Sequence, residues 1–213
     1  MPLRACLLSG GASRRMGSDK ALLHHPAGCS WLEQTLTLLA GCGAPLTLLS
    51  GHQAHLRRAL ALAPRLAVPL TALAEPPPRQ GPLRALARLM ALHPGERLLL
   101  CPVDMPWLDA ATLAALLAAA RDTAAADPGA AGGDTILLAH DGARLQPLLG
   151  LYPATAARRQ RLATHLAGGG LALQGWLAEE TWRPLPLPAA PLRNANRPAD
   201  LGPSVAPPAS RGA

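Results

Sequence analysis

With 213 residues, 49% of them hydrophobic, the chain can bury one core of ordinary domain size; no run of 18 or more apolar residues lacks charge, so no membrane span is expected. The net charge of +7 favours an anionic partner. Runs of five or more Lys/Arg are lacking, and one Tyr, four Trp and no Phe leave few stacking platforms, which weighs against nucleic acid and for a small phosphorylated substrate.

Strand-like runs fall at Arg4–Ser9, Pro45–Ser50, Val68–Leu73, Arg97–Cys101 and Thr135–Ala139. Helix-like runs fall at Trp31–Ala40, His52–Ala61, Pro82–Leu92, Asp109–Ala120 and Ala154–Ala167. The alternation predicts an α/β fold in three layers, a mainly parallel sheet with helices on both faces. Pro82 suits a helix first turn and Asp109 can cap the helix after it. Asp122–Asp134 reads as a surface loop, and 203–213 as a frayed tail on a single domain spanning 1–202. Cys6, Cys29, Cys42 and Cys101 form no CxxC pair and no zinc spacing, and the N-terminus lacks a signal-peptide pattern. Free thiols in a cytoplasmic protein are expected. The seven histidines are dispersed and read as surface or packing residues.

Arginine supplies nearly every cation; the one lysine is Lys20, and the two asparagines are Asn194 and Asn196. Lysine is a compact point charge, arginine a planar fork, so the exception marks a place where the fork will not serve. Lys20 closes a glycine-rich stretch after the first strand, Leu8-Ser9-Gly10-Gly11-Ala12-Ser13-Arg14-Arg15-Met16-Gly17-Ser18-Asp19-Lys20. Successive N–H groups of such a loop converge on phosphate. The stretch matches neither GxxxxGK[ST] nor GxGxxG. Asp104 lies just beyond the buried strand Arg97–Cys101, where parallel sheets bind ligands, and one hard carboxylate beside phosphates is a normal way to hold Mg²⁺. Gly81-Pro82 reads as a turn into a helix, Asp141-Gly142 as a hairpin turn or part of a site, and the asparagine pair as a cap or a site.

The glycine-rich stretch resembles the motif LAGGxSRRMGxDK of the molybdenum cofactor guanylyltransferases, the MobA family, with Ser9 where the family usually has Ala. Related cytidylyltransferases usually have LAAG, so Gly10-Gly11 favours guanine. Gln80-Gly81-Pro82-Leu83 resembles GPLAG in part, since Arg84-Ala85 replaces Ala-Gly. Cys101-Pro102-Val103-Asp104-Met105-Pro106 is similar to CDMPFL, residues 140–152 to DGxxxPLFGLY, and Asn194-Ala195-Asn196 to NVNTPEDL. The resemblance, spanning roughly residues 4 to 201, implies a Rossmann-like nucleotide-diphospho-sugar transferase fold. It implies Mg²⁺-dependent transfer of GMP from GTP to the molybdenum cofactor on molybdopterin, with release of pyrophosphate. Lys20, Arg14 and Asp104 would be catalytic, with Asp104 holding the metal. Leu8, Ser9, Gly10, Gly11, Lys20, Ser50, Glu75, Gly81 and Asp104 would meet the nucleotide, and Asn194 and Asn196 the acceptor. Molybdenum-insertion proteins and molybdoenzymes would be further partners. The alternatives are a cytidylyltransferase of the same cofactor, a sugar-phosphate nucleotidyltransferase, or a basic nucleic-acid-binding protein.

Overall fold

The computed structural model describes residues 1–10, 19–75, 77, 80–126, 134–196 and 198–201. In chain order the elements are β1 (Leu3–Leu8), α1 (Trp31–Ala40), β2 (Leu46–Ser50), α2 (Gln53–Leu62), β3 (Leu70–Ala74), α3 (Pro82–Leu92) and β4 (Arg97–Pro102). There follow α4 (Ala110–Ala126), β5 (Ile136–His140), β6 (Leu145–Pro153), α5 (Ala156–Ala167), α6 (Leu173–Leu177) and β7 (Trp182–Pro186). The sheet order is β3-β2-β1-β4-β6-β5-β7. Strands β1 to β4 pair in parallel, as does β5 with β7, whereas β6 runs antiparallel to both β4 and β5. The sheet is mainly parallel, as expected.

Side-chain alternation along the strands separates two cores. Ala5 and Leu7 of β1, Leu99 and Cys101 of β4, and Leu137 and Ala139 of β5 face Leu32 and Leu36 of α1, Leu56 of α2 and Leu116 of α4. Their neighbours Cys6, Leu98, Leu100, Ile136 and Leu138 face Leu83, Leu86 and Leu89 of α3, Leu162 of α5 and Trp176 of α6. A strand whose successive residues are all apolar must be covered on both faces, and the helices supply that cover.

Local chemistry sets the helix starts. Ser30 and Glu33 form a capping box on α1. Asp109 Oδ1 accepts from the Thr112 amide at 2.8 Å ahead of α4. Gly81 precedes α3 at φ 88°, and Pro82 occupies the first turn. All four cysteines are free, and burial pushes the Cys6 and Cys101 thiols up. Among the described residues no helix is long and apolar enough to cross a membrane.

The structure departs from the sequence reading in places. Helix α4 continues to Ala126, so 122–126 are not loop; the stretch Thr123–Ala126 is alanine-rich, and alanine extends helices readily. Strand β6 was hidden by Pro147, Gly150 and Pro153, and β7 by Pro184 and Pro186 on an exposed edge. Helix α6 is one short turn and a half carrying Gly175. Asp141-Gly142 does make the turn joining β5 to β6, with Asp141 Oδ1 accepting from the Ala143 and Arg144 amides. The 203–213 segment and residues 127–133 lie outside the described residues.

Candidate active site

The connection from β3 through α3 to β4 carries the chain from one side of β1 to the other. Chain direction along the sheet therefore reverses between β1 and β4, opening a crevice at their carboxyl ends. The two strands are in register to their last residues, Leu8 opposite Pro102, and the Val103 amide donates to the Leu8 carbonyl at 3.2 Å. Gly10 and Asp104, which follow these ends, are thus delivered to one place from sequence positions far apart.

A cavity of about 350 Å³ fills the crevice. Leu8, Leu49, Pro102, Val103 and Leu148 make much of its wall apolar, and Gly81, Pro82 and Ala85 bring the amino-terminal end of α3 to its edge. Its polar lining consists of Gly10, Lys20, Glu75 and Asp104. Partial positive charge at a helix amino terminus suits a phosphate or another anion. A Cβ on Gly10 would come within 2.8 Å of Glu75 Oε2, so a side chain there would displace that carboxylate from its place beside the backbone.

Lys20 Nζ donates to Asp104 Oδ2 at 2.9 Å and to Asn196 Oδ1 at 3.2 Å. The Ala195 amide donates to the Asp104 carbonyl at 2.9 Å, and the Arg193 guanidinium lies 4.5 Å from the centre of the Trp107 ring. These contacts hold the asparagine segment against the Asp104 turn. Asn194 diverges from its neighbour: its amide donates to Gln146 Oε1 on β6 at 3.1 Å. Lys20, Asp104 and Asn196 thus share hydrogen bonds, and Leu8, Gly10, Glu75 and Gly81 line the same cavity.

Two expected nucleotide residues sit elsewhere. Ser9 and Ser50 are buried and are not part of the cavity lining. Ser50 Oγ donates to the Ser9 carbonyl at 2.6 Å, and both hydroxyls lie 2.9 Å from His55 Nδ1. His55 is only 2% exposed and its Nε2 is 2.7 Å from Asp19 Oδ2. This histidine is neither a surface residue nor an inert packing one, and dispersal along the sequence gave no sign of it. Gly11, Arg14 and Arg15 lie outside the described residues.

The donor set also bears on a metal. Among the described residues no three His, Cys, Asp or Glu side chains cluster as a closed cage. Asp104 offers a hard carboxylate to the cavity, beside a cation that also attracts phosphate. That set fits Mg²⁺ shared between one carboxylate, phosphate oxygens and water.

An open sheet of this order, with a crevice at the switch point lined by an acid and a lysine, belongs to a nucleotidyltransferase. Residues 5–181 match the MobA-like NTP transferase domain, and the chain belongs to that family. It is 34% identical over 210 residues to a probable molybdenum cofactor guanylyltransferase of Rhodopirellula baltica, covering 95% of this chain and 91% of the relative. It is 37% identical over 118 residues to a molybdenum cofactor guanylyltransferase of Xanthomonas euvesicatoria pv. vesicatoria, covering 55% of this chain and 54% of that one. The crystal structure of molybdopterin-guanine dinucleotide biosynthesis protein A from Archaeoglobus fulgidus shares the fold, with TM-score 0.65 and 16% identity over 93% of this chain and 94% of that chain.

Proposed function

We propose that this nucleotidyltransferase transfers GMP from GTP to the terminal phosphate of molybdopterin carrying molybdenum, releasing pyrophosphate. Its likeness to molybdenum cofactor guanylyltransferases supports the acceptor, and the Lys20–Asp104 pair in the cavity carries the chemistry. An acceptor phosphate oxygen attacks the α-phosphorus in line; the new P–O bond forms as the bond to the bridging oxygen of the β-phosphate breaks, and pyrophosphate takes the electron pair. Such transfer needs positioning and charge neutralisation rather than a side-chain nucleophile.

Lys20 lines the cavity, and its ammonium would balance the charge developing on the leaving pyrophosphate. Asp104 is the residue to hold Mg²⁺, which when bound neutralises phosphate charge. Arg14 adds a second cation from the glycine-rich loop. Gly10, with Gly11 beside it, offers backbone amides, and Glu75 offers a carboxylate next to Gly10 in the cavity lining. Guanine presents an N–H and an amino group side by side, a pair of donors that one carboxylate can accept together; cytosine has no such pair. That match supports GTP over CTP. Asn196, already on Lys20, and Asn194 are the residues assigned to the acceptor.

Asp104→Asn tests the reading. It keeps the size and one oxygen but loses the anion. The protein should melt within a few degrees of wild type, since the side chain lies at a strand end beside the cavity rather than in either core. GTP binding should lose its dependence on Mg²⁺, and pyrophosphate release with molybdopterin should fall at least about 100-fold, the scale for losing one preorganised electrostatic group. A variant that releases pyrophosphate at close to the wild-type rate would remove Asp104 from the reaction.

A further inference from the structure

The buried histidine touches both ends of the glycine-rich stretch. Its Nδ1 lies 2.9 Å from Ser9 Oγ and 3.0 Å from the Ser9 carbonyl, at the point where β1 gives way to the loop. Its Nε2 lies 2.7 Å from Asp19 Oδ2, at the point where the loop ends. One ring on α2 therefore bridges residues ten apart on either side of the loop.

The hydrogen-bond inventory shows what the ring holds. An ionised carboxylate only accepts, so Nε2 carries a proton and donates to Asp19. Ser50 Oγ accepts from the His52 amide at 3.1 Å and spends its own proton on the Ser9 carbonyl at 2.6 Å. Nδ1 is left facing the Ser9 hydroxyl at 2.9 Å and the Ser9 carbonyl at 3.0 Å, so either protonation state of that nitrogen ties the ring to Ser9. Each polar atom of the set has a partner within hydrogen-bond distance, which is what a buried polar network requires.

Asp19 has a second task. Its Oδ1 accepts from the Ala21 amide at 3.2 Å, capping the short 3-10 turn Lys20–Leu22. His55 therefore reaches Lys20 through one residue: it holds Asp19, Asp19 holds the turn, and the turn aims the ammonium at Asp104 and the cavity.

We propose that His55 is a positioning residue for the nucleotide phosphates, closing the two ends of the glycine-rich loop and setting the direction of Lys20 through Asp19. The effect on nucleotide rests on the reading of the crevice as a nucleoside triphosphate site. The hold on the loop does not, and the two can be tested separately.

The experiment uses the full chain as wild type, His55→Leu, His55→Gln, Asp19→Ala and His55→Leu/Asp19→Ala. For each, the melting temperature, GTP·Mg²⁺ affinity by calorimetry and the rate of tryptic cleavage after Arg14 and Arg15 without ligand are measured. His55→Leu should bind GTP at least about tenfold more weakly, the scale of one charge-assisted hydrogen bond. It should also be cut several-fold faster at Arg14 and Arg15, at a temperature where both proteins are folded. His55→Gln, whose amide can still reach Asp19, should recover part of the affinity. Asp19→Ala should match His55→Leu, and the double variant should be no weaker than the worse single one, because the two act in series.

Wild-type affinity and wild-type cleavage in His55→Leu would overturn the proposal. So would equal losses in the Leu and Gln variants that simply track their melting temperatures. If His55→Leu does not fold, Gln and Asp19→Ala carry the same comparison. If wild type binds no nucleoside triphosphate, the functional reading falls, while the ligand-free cleavage rates still decide whether His55 holds the loop.

Discussion

At the scale of single residues, the cavity depends on a point charge that serves Asp104 and Asn196 at once. Lys20 Nζ meets Asp104 at 2.9 Å and Asn196 at 3.2 Å. A guanidinium at the same place would spread its charge over a plane and need more room. Lys20→Ala is expected to lower turnover at least about 100-fold, and Lys20→Arg to be poor as well, with pyrophosphate release as the readout. Near-normal release from Lys20→Ala would take the ammonium out of the mechanism. The trio was legible because composition singled it out: the one lysine, one of two asparagines, and an acid just past a buried strand. His55 was not legible, because nothing along the chain says that α2 turns its ring toward Asp19. Ser9 and Ser50 could be placed near strand ends, but only packing decides that their hydroxyls point at the histidine and not into the cavity. Asn194 and Asn196, two residues apart, face different partners for the same reason.

At the scale of elements, the part away from the cavity is tied by ions. Arg158 on α5 is fully buried; its Nε donates to Glu180 at 2.9 Å and its Nη1 to Asp134 at 2.8 Å and the Pro153 carbonyl at 3.1 Å. Arg161 adds two bonds of 2.8 Å to Glu180. Burial pushes the Glu180 carboxyl up, but its hydrogen bonds to Arg161 and Arg158 outweigh burial and hold it below the usual range. A carboxyl lowered in the folded state stabilises the fold above its unfolded pKa, about 4.3, and that contribution is lost as pH falls through the lower folded value. Glu180→Gln should cost about 2 kcal/mol at pH 7, and its melting temperature should fall less steeply than wild type from about pH 5 downward. Identical melting curves for the two proteins at pH 7 and pH 4 would show that the cluster contributes nothing. Helices α1 and α3 were readable to the residue, the latter because Gly81 with Pro82 marks its start. Strands β6 and β7 were not, because proline and glycine interrupt the pattern that tertiary pairing restores.

At the scale of the whole molecule, β6 is the joint between two halves. The first half, β1 to β4 with three helices, is a run of parallel crossovers laid out as β3-β2-β1-β4. Strand β6 closes the open side of β4, pairing Leu98 with Tyr152, Leu99 with Leu151 and Leu100 with Gly150. During synthesis that partner arrives late. At the usual pace of translation, the stretch from Pro102 to Leu145 takes about 2 to 9 s to appear. For that interval the nascent chain carries a leucine-rich strand with one row of amide and carbonyl groups bare, the kind of template on which other chains assemble. Chains stopped at residue 126 should therefore collect in the insoluble fraction and bind a general chaperone, whereas chains carried through Leu201 should not; equal solubility of the two would contradict this. The strand that completes the fold is in this sense also the one that ends its most exposed moment on the ribosome.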